Sequence, residues 1–151
     1  MTNAKQIQEE VLGQILKRNA ATEYLSRYLH VKTDKKLFKM NVPIVTYEDI
    51  KPYIDRIANG EPSNILLAES VLEFFRSSGT SGGQPKLIPV NAETLKLLAV
   101  SSALLTAVMK KHFGNLDQAV KSLEFQFAKE ETETPCGLKS KSCHNKHVQE
   151  Q

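Results

Sequence analysis

Four hydroxyl residues and three glycines fall within the eleven residues RSSGTSGGQPK, Arg76 to Lys86. Donors that converge on phosphate oxygens need this mixture. Glycine lets backbone N–H groups approach closely and adopt positive φ. Serine and threonine hydroxyls add donors, and a lysine adds a point charge. Ser77, Ser78, Thr80 and Ser81 supply the hydroxyls, Gly79, Gly82 and Gly83 the freedom, and Lys86 the cation. The same composition also suits a solvated hairpin turn. The loop is not a Walker A loop, because Gln84 and Pro85 stand where Gly-Lys-Ser/Thr would follow, and the Gly-x-Gly-x-x-Gly dinucleotide spacing is missing.

The elements around the loop follow from periodicity. Val71–Phe75 reads as a strand entering it and Lys86–Val90 as a strand leaving it. Asn91 is placed to cap a long helix over 92–113, apolar on more than one face, which predicts a place inside a larger body. Upstream, residues 3–18 predict an amphipathic helix with Asn3 as its cap and Asn19 as a left-handed stop. Further helical stretches start at Thr22 and at Asp34, with a short extended apolar piece at Val42–Val45. Thr46 and Asp49 form a cap pattern for a helix that carries Pro52 and ends at Asn59-Gly60. Ile65–Leu67 is another short apolar piece, and alternation at Leu123, Phe125 and Phe127 predicts a strand over 123–128. After residue 128 the apolar pattern stops, so 129–151 is expected to be a tail without stable order.

Composition narrows the class. The chain has 151 residues, 40% apolar and 25% charged, with a net charge of +3. That suits one domain with a real core. The lysines are scattered, with no basic stripe interleaved with aromatics, which argues against a nucleic-acid partner. No uninterrupted apolar run reaches the roughly 18 residues of a membrane span, and the N-terminus lacks a secretory pattern, so a cytoplasmic protein without a membrane partner is expected. Cys136 and Cys143 make no disulfide framework. Together with His144 and His147 they fit no common zinc spacing, and a solvated tail is the better reading. Tyr24, Tyr28, Tyr47 and Tyr53 read as core-edge residues, and His30 and His112 as surface residues at helix ends.

SSGTSGGQPK resembles the first signature of adenylate-forming enzymes. With TEYL, LFKMNVPIVTYEDIKPYIDRIANGEPSNIL and FFRSSGTSGGQPKLIP, the chain is similar to the N-terminal part of the plant auxin-responsive acyl-acid amido synthetases, from about residue 3 to Leu138. The resemblance implies an α/β fold, as a partial N-terminal domain: a helical N-terminus followed by mixed strands and helices, residues 1–128, ahead of a divergent tail, 129–151. It implies ATP with Mg2+, an acyl acid such as auxin or jasmonate, and an amino acid as substrates. It also implies a phosphate cradle at Ser77, Ser78, Gly79, Thr80, Ser81, Gly82 and Gly83, with Lys86 as a supporting cation. The family's second signature, a glutamate after Ser/Thr in a Tyr-containing loop, and its third, an Arg-x-Gly-Asp-like stretch, are not found; none of the four arginines, Arg18, Arg27, Arg56 and Arg76, begins one. The expectation is therefore a truncated chain that does not catalyse amide formation alone. The alternatives are a non-catalytic polypeptide that binds a partner and a product without a role.

Overall fold

A computed structural model describes residues 3–79, 83–114 and 130–142. It divides into two units. One comprises residues 1–71 with Thr134–Leu138, and the other 72–133 with 139–151.

The first unit is helical. α1 (Ala4–Asn19), α2 (Glu23–Leu29), α3 (Lys35–Asn41) and α4 (Tyr47–Ala58) are followed by a 3-10 turn at Ser63–Ile65. Leu16, Leu29, Ile54, Ile57 and Ile65 form its buried apolar set. The i, i+3 spacing of Ile54 and Ile57 puts them on one face of α4, whose packing stabilises it as a helix. Capping sets the boundaries. The Thr22 hydroxyl accepts from the Leu25 amide, and the Asp34 carboxylate accepts from the Lys36 and Leu37 amides at 2.7 and 2.9 Å. Thr46 and Asp49 make a reciprocal capping box, and Gly60 (φ 102°) ends α4 in the left-handed region.

α1 ends at Asn19 as expected, but without a left-handed residue: Asn19 is its last helical residue and the following Ala20 is right-handed. The Asn19 Nδ2 donates to the Ile15 carbonyl while Oδ1 accepts from the Ala68 amide. The Val42–Val45 piece is extended but carries no strand. The four tyrosines are half-buried, as expected of core-edge residues, and Tyr24 lies edge-on to Tyr28 and to Tyr53, at 5.6 and 5.4 Å between ring centroids.

The second unit holds a four-stranded mixed sheet of β1 (Glu73–Arg76), β2 (Leu87–Val90), β3 (Thr132–Glu133) and β4 (Lys139–Ser142), in the order β2-β1-β4-β3. β1 is antiparallel to β2 and parallel to β4, and β3 is antiparallel to β4. Residues 130–142 thus carry two strands where a tail without order was expected. The reason is the composition of β4: its sequence KSKS buries Ser140 and Ser142 rather than apolar residues, so no hydrophobic pattern announces it.

α5 (Ala92–Phe113) starts where expected, with the Asn91 side chain accepting from the Thr94 amide at 2.9 Å. Its surroundings differ from the expectation: every residue from Lys96 to Phe113 is exposed. By length and composition α5 could also cross a membrane, with a mean hydropathy of 1.5 over 18 residues. A search for an uninterrupted apolar run passes over it because Glu93, Lys96 and the C-terminal lysines interrupt the sequence. The strand expected over 123–128 lies outside the described residues.

Candidate phosphate-binding loop

The loop between β1 and β2 is a hairpin with a closed neck. Arg76 pairs with Leu87 as the last ladder position. One residue further, the Ser77 amide donates to the Lys86 carbonyl at 3.0 Å, and the Lys86 amide donates to the Ser77 hydroxyl oxygen at 2.9 Å. The Ser77 side chain thus replaces one backbone acceptor and fixes the chain path on both sides. Its hydroxyl hydrogen still has a direction in which to donate.

Two glycines make the turn possible. Gly79 has φ 75° and Gly83 has φ 74°, both in the region that L side chains rarely adopt. The Gly83 amide donates to the Gly79 carbonyl at 3.0 Å. A Cβ on Gly79 would sit 3.2 Å from the Pro85 nitrogen and 3.3 Å from the Gln84 carbonyl carbon, so the loop's return limb would have to give by a few tenths of an ångström. A Cβ on Gly83 would meet nothing within 4 Å. Ser78 is exposed, while Ser77, Gly79 and Lys86 are half-buried. Thr80, Ser81 and Gly82 lie outside the described residues.

Of the eight residues singled out by type, Ser77, Ser78, Gly79, Gly83 and Lys86 are therefore brought together on one closed turn. The Ser77 amide and the Gly83 amide are engaged within the loop, which makes these two residues part of its frame.

Sequence reasoning missed the elements that hold β1 behind the loop. β1 is a central strand, flanked by β2 and β4. On β4 the Lys141 ammonium pairs with the Glu73 carboxylate at 2.9 Å, with both side chains nearly buried, and lies 3.9 Å from Glu131. An ion pair this enclosed destabilises strongly if one member is removed, because the other charge is left without water or a partner. Arg76, the last residue of β1, donates from Nη2 to the Glu130 carbonyl. Its Nε is buried with no hydrogen-bond partner. Alternating Lys and Ser in KSKS was the only trace of this arrangement in the sequence.

Among the described residues, no group of three or more His, Cys, Asp or Glu could hold a metal ion. Cys136 has its Sγ 3.7 Å from the Ile57 carbonyl; Cys143, His144 and His147 are outside the described residues.

A helical N-terminal unit followed by a strand–Ser/Gly loop–strand hairpin places the chain among mixed α/β proteins. Known proteins identify it further. The profile described as "GH3 family N-terminal domain" matches residues 1–151, and the chain belongs to the GH3 family. It is 51% identical over 137 residues to indole-3-acetic acid-amido synthetase GH3.15 of Arabidopsis thaliana, covering 91% of this chain and 23% of that protein. It is 46% identical over 137 residues to the 4-substituted benzoates-glutamate ligase GH3.12 of the same plant, covering 91% of this chain and 24% of that one. The solved structure of the AtGH3.15 acyl acid amido synthetase in complex with 2,4-DB superposes with a TM-score of 0.87 at 50% identity, covering 93% of this chain and 25% of that one. The chain thus spans about a quarter of the length of the relatives it matches, and its fold is that of their N-terminal part.

Proposed function

We propose that this chain supplies the ATP-binding loop of an acyl acid–amino acid amido synthetase. In that reaction a carboxylate oxygen of the acyl acid attacks the α-phosphorus of ATP, and the bond to pyrophosphate breaks. The amine nitrogen of an amino acid then attacks the acyl carbon, loses a proton, and the bond to AMP breaks. The relatives, named as an indole-3-acetic acid-amido synthetase and a 4-substituted benzoates-glutamate ligase, support an aromatic carboxylic acid of the auxin or benzoate kind as the first substrate; a jasmonate-type acid is the alternative.

The single observation that carries the reading is the geometry of 77–86. It is a closed turn with two left-handed glycines, one so close to the return limb that an added Cβ would have to displace backbone atoms by a few tenths of an ångström. Its run of hydroxyls and glycines resembles an adenylate-forming signature. Within it the roles divide. Ser77 and Gly83 hold the frame, since their amides are engaged inside the loop. Ser78, Thr80 and Ser81 offer hydroxyls, and Gly79 and Gly82 offer backbone N–H groups, to the triphosphate oxygens. Lys86, its backbone fixed at the neck on both sides, presents its ammonium as a supporting charge. The donor set fits a polyanion, because preorganised hydrogen bonds to charged oxygens need no reorganisation as charge shifts toward pyrophosphate. Mg2+ would enter with the phosphates, whose oxygens and the loop hydroxyls suit a hard cation.

The test is nucleotide binding by the 151-residue chain, wild type against the double variant Ser78→Ala with Thr80→Ala. Each lost charge-assisted bond is worth about 1.5–3 kcal/mol, so ATP affinity should fall by at least about tenfold. Equal affinity in the two proteins overturns the assignment. The chain by itself should give no acid-dependent pyrophosphate exchange, since one loop holds a phosphate without orienting a carboxylate. Robust exchange overturns that second expectation and leaves the first standing.

A further inference from the structure

α5 carries an apolar surface that the two units do not use. Leu97, Leu98, Val100, Leu104, Leu105, Val108, Met109 and Phe113 are all exposed, from 42% at Met109 to 71% at Phe113. At about 100° per residue these eight side chains spread over about 220° of the helix circumference. The apolar stripe of an ordinary surface helix is roughly half that width. A flat neighbour cannot cover such an arc; it needs a surrounding body. Of the polar residues inside it, Ser101 donates its hydroxyl to the Leu97 carbonyl, while Ser102, Lys111 and His112 are positions an occupant must leave to water or match with a partner.

The superposition says what the surrounding body is. It takes in 93% of the chain, leaving about 11 residues out, whereas α5 has 22. At least half of α5 is therefore part of the shared fold. That fold continues in the relative through three further quarters of its length. We propose that α5 is an internal surface of the GH3 fold, and that its occupant is polypeptide from the three quarters of a family chain lying outside the match, accepted in cis when attached and in trans when supplied separately. The eight apolar side chains are the docking surface. Asn91, seated on the Thr94 amide and hydroxyl, fixes the end from which the helix projects.

The inference rests on family membership and on exposure, and is read without nucleotide, so it stands or fails separately from the phosphate loop. The experiment co-expresses the 151-residue chain with the remaining three quarters of Arabidopsis GH3.15, the latter tagged. We expect a one-to-one complex on size exclusion and at least tenfold slower amide exchange across 97–113 in the complex. Leu104→Asp with Leu105→Asp should abolish the complex. Leu104→Ala, which preserves helix propensity, should weaken it at least tenfold, while Lys110→Glu leaves it intact. A GH3.15 remainder that is no more soluble with the chain than without it overturns the proposal. So do α5 amides already protected in the chain alone, through self-association or its own remaining residues. So does capture of the chain by phosphatidylcholine vesicles with no complex formed, which would assign the helix to a membrane.

Discussion

Gly79 and Gly83 share a backbone conformation and differ in their surroundings, so they separate two physical effects at the level of single residues. An alanine at either position adopts left-handed φ at a cost of about 1–2 kcal/mol. At Gly83 that is the whole effect, because the added methyl enters open space. At Gly79 the methyl also meets backbone atoms of Gln84 and Pro85, which cannot swing aside as a side-chain end would. Gly79→Ala should therefore widen the loop and weaken ATP binding at least about tenfold more than Gly83→Ala does, when both are titrated by calorimetry. Equal losses would mean that only the φ preference matters and that the tight approach does not shape the site. The sequence revealed that glycines stand here, but not which one is sterically obligatory. That depends on the return limb through Gln84 and Pro85, whose path is set by the pairing of Ser77 with Lys86.

Elements were legible where a boundary is local and illegible where it is made by a distant partner. The Thr46–Asp49 box, the Asn59-Gly60 stop and the Asn91 cap each act within four residues, and each stands where it was expected. Asn19 ends α1 as expected but not through a left-handed residue, and its side chain instead reaches the Ala68 amide, 49 positions along the chain. β4 failed because its buried residues are serines and its charge is neutralised by Glu73 on another strand. The local caps also carry a pH dependence. The amides of Leu37 and Lys36 hold the Asp34 carboxyl below its ordinary 3.8, and the Thr46 hydroxyl and amide do the same for Asp49. Arg56, in a bidentate pair at 2.8 and 2.9 Å, lowers Glu23 in the same direction. A carboxyl with a depressed folded pKa binds more protons unfolded than folded just above that value. Its stabilising contribution is complete above the unfolded pKa and is lost as pH falls through the folded one. The helical unit should hold a constant urea midpoint from pH 7 to about pH 5 and lose stability below about pH 4. Asp34→Asn keeps a good cap but removes the titration, so its midpoint should lie below wild type at pH 7 and the gap should narrow as pH falls below about 4. Tyrosine fluorescence reads this unit cleanly, because all four tyrosines fall within residues 24–53 and the chain has no tryptophan. Parallel curves for the two proteins would remove Asp34 as a source of the pH dependence.

At the scale of the whole molecule, the segment after residue 130 serves both units. Thr134–Leu138 belongs with the helices: the Cys136 amide donates to the Ala58 carbonyl at 3.2 Å, at the C-terminus of α4 where helix carbonyls lack intrahelical partners. Thr134 closes that turn on itself through two bonds to the Leu138 carbonyl, at 2.9 Å from its amide and 3.0 Å from its hydroxyl. Residues 139–142 belong with the sheet, where β4 pairs along β1 and brings Lys141 to Glu73. A chain ending at Glu133 would lose both. α4 would have a carbonyl returned to water at its last turn, costing about 1 kcal/mol. β1 would become an edge strand with Glu73 unpaired, a change of about 3 kcal/mol if the carboxylate stays enclosed. Truncation after Glu133 should therefore lower the urea midpoint of the helical unit, read by tyrosine fluorescence, and weaken ATP binding by loosening the strand that carries Ser77. A free tail would predict the opposite: unchanged midpoint and unchanged affinity. Restoring residues 134–142 alone should return both properties, because the interactions argued here end at Ser142. Recovery that also needs residues 143–151 would show that the described strands are not what stabilises the two units.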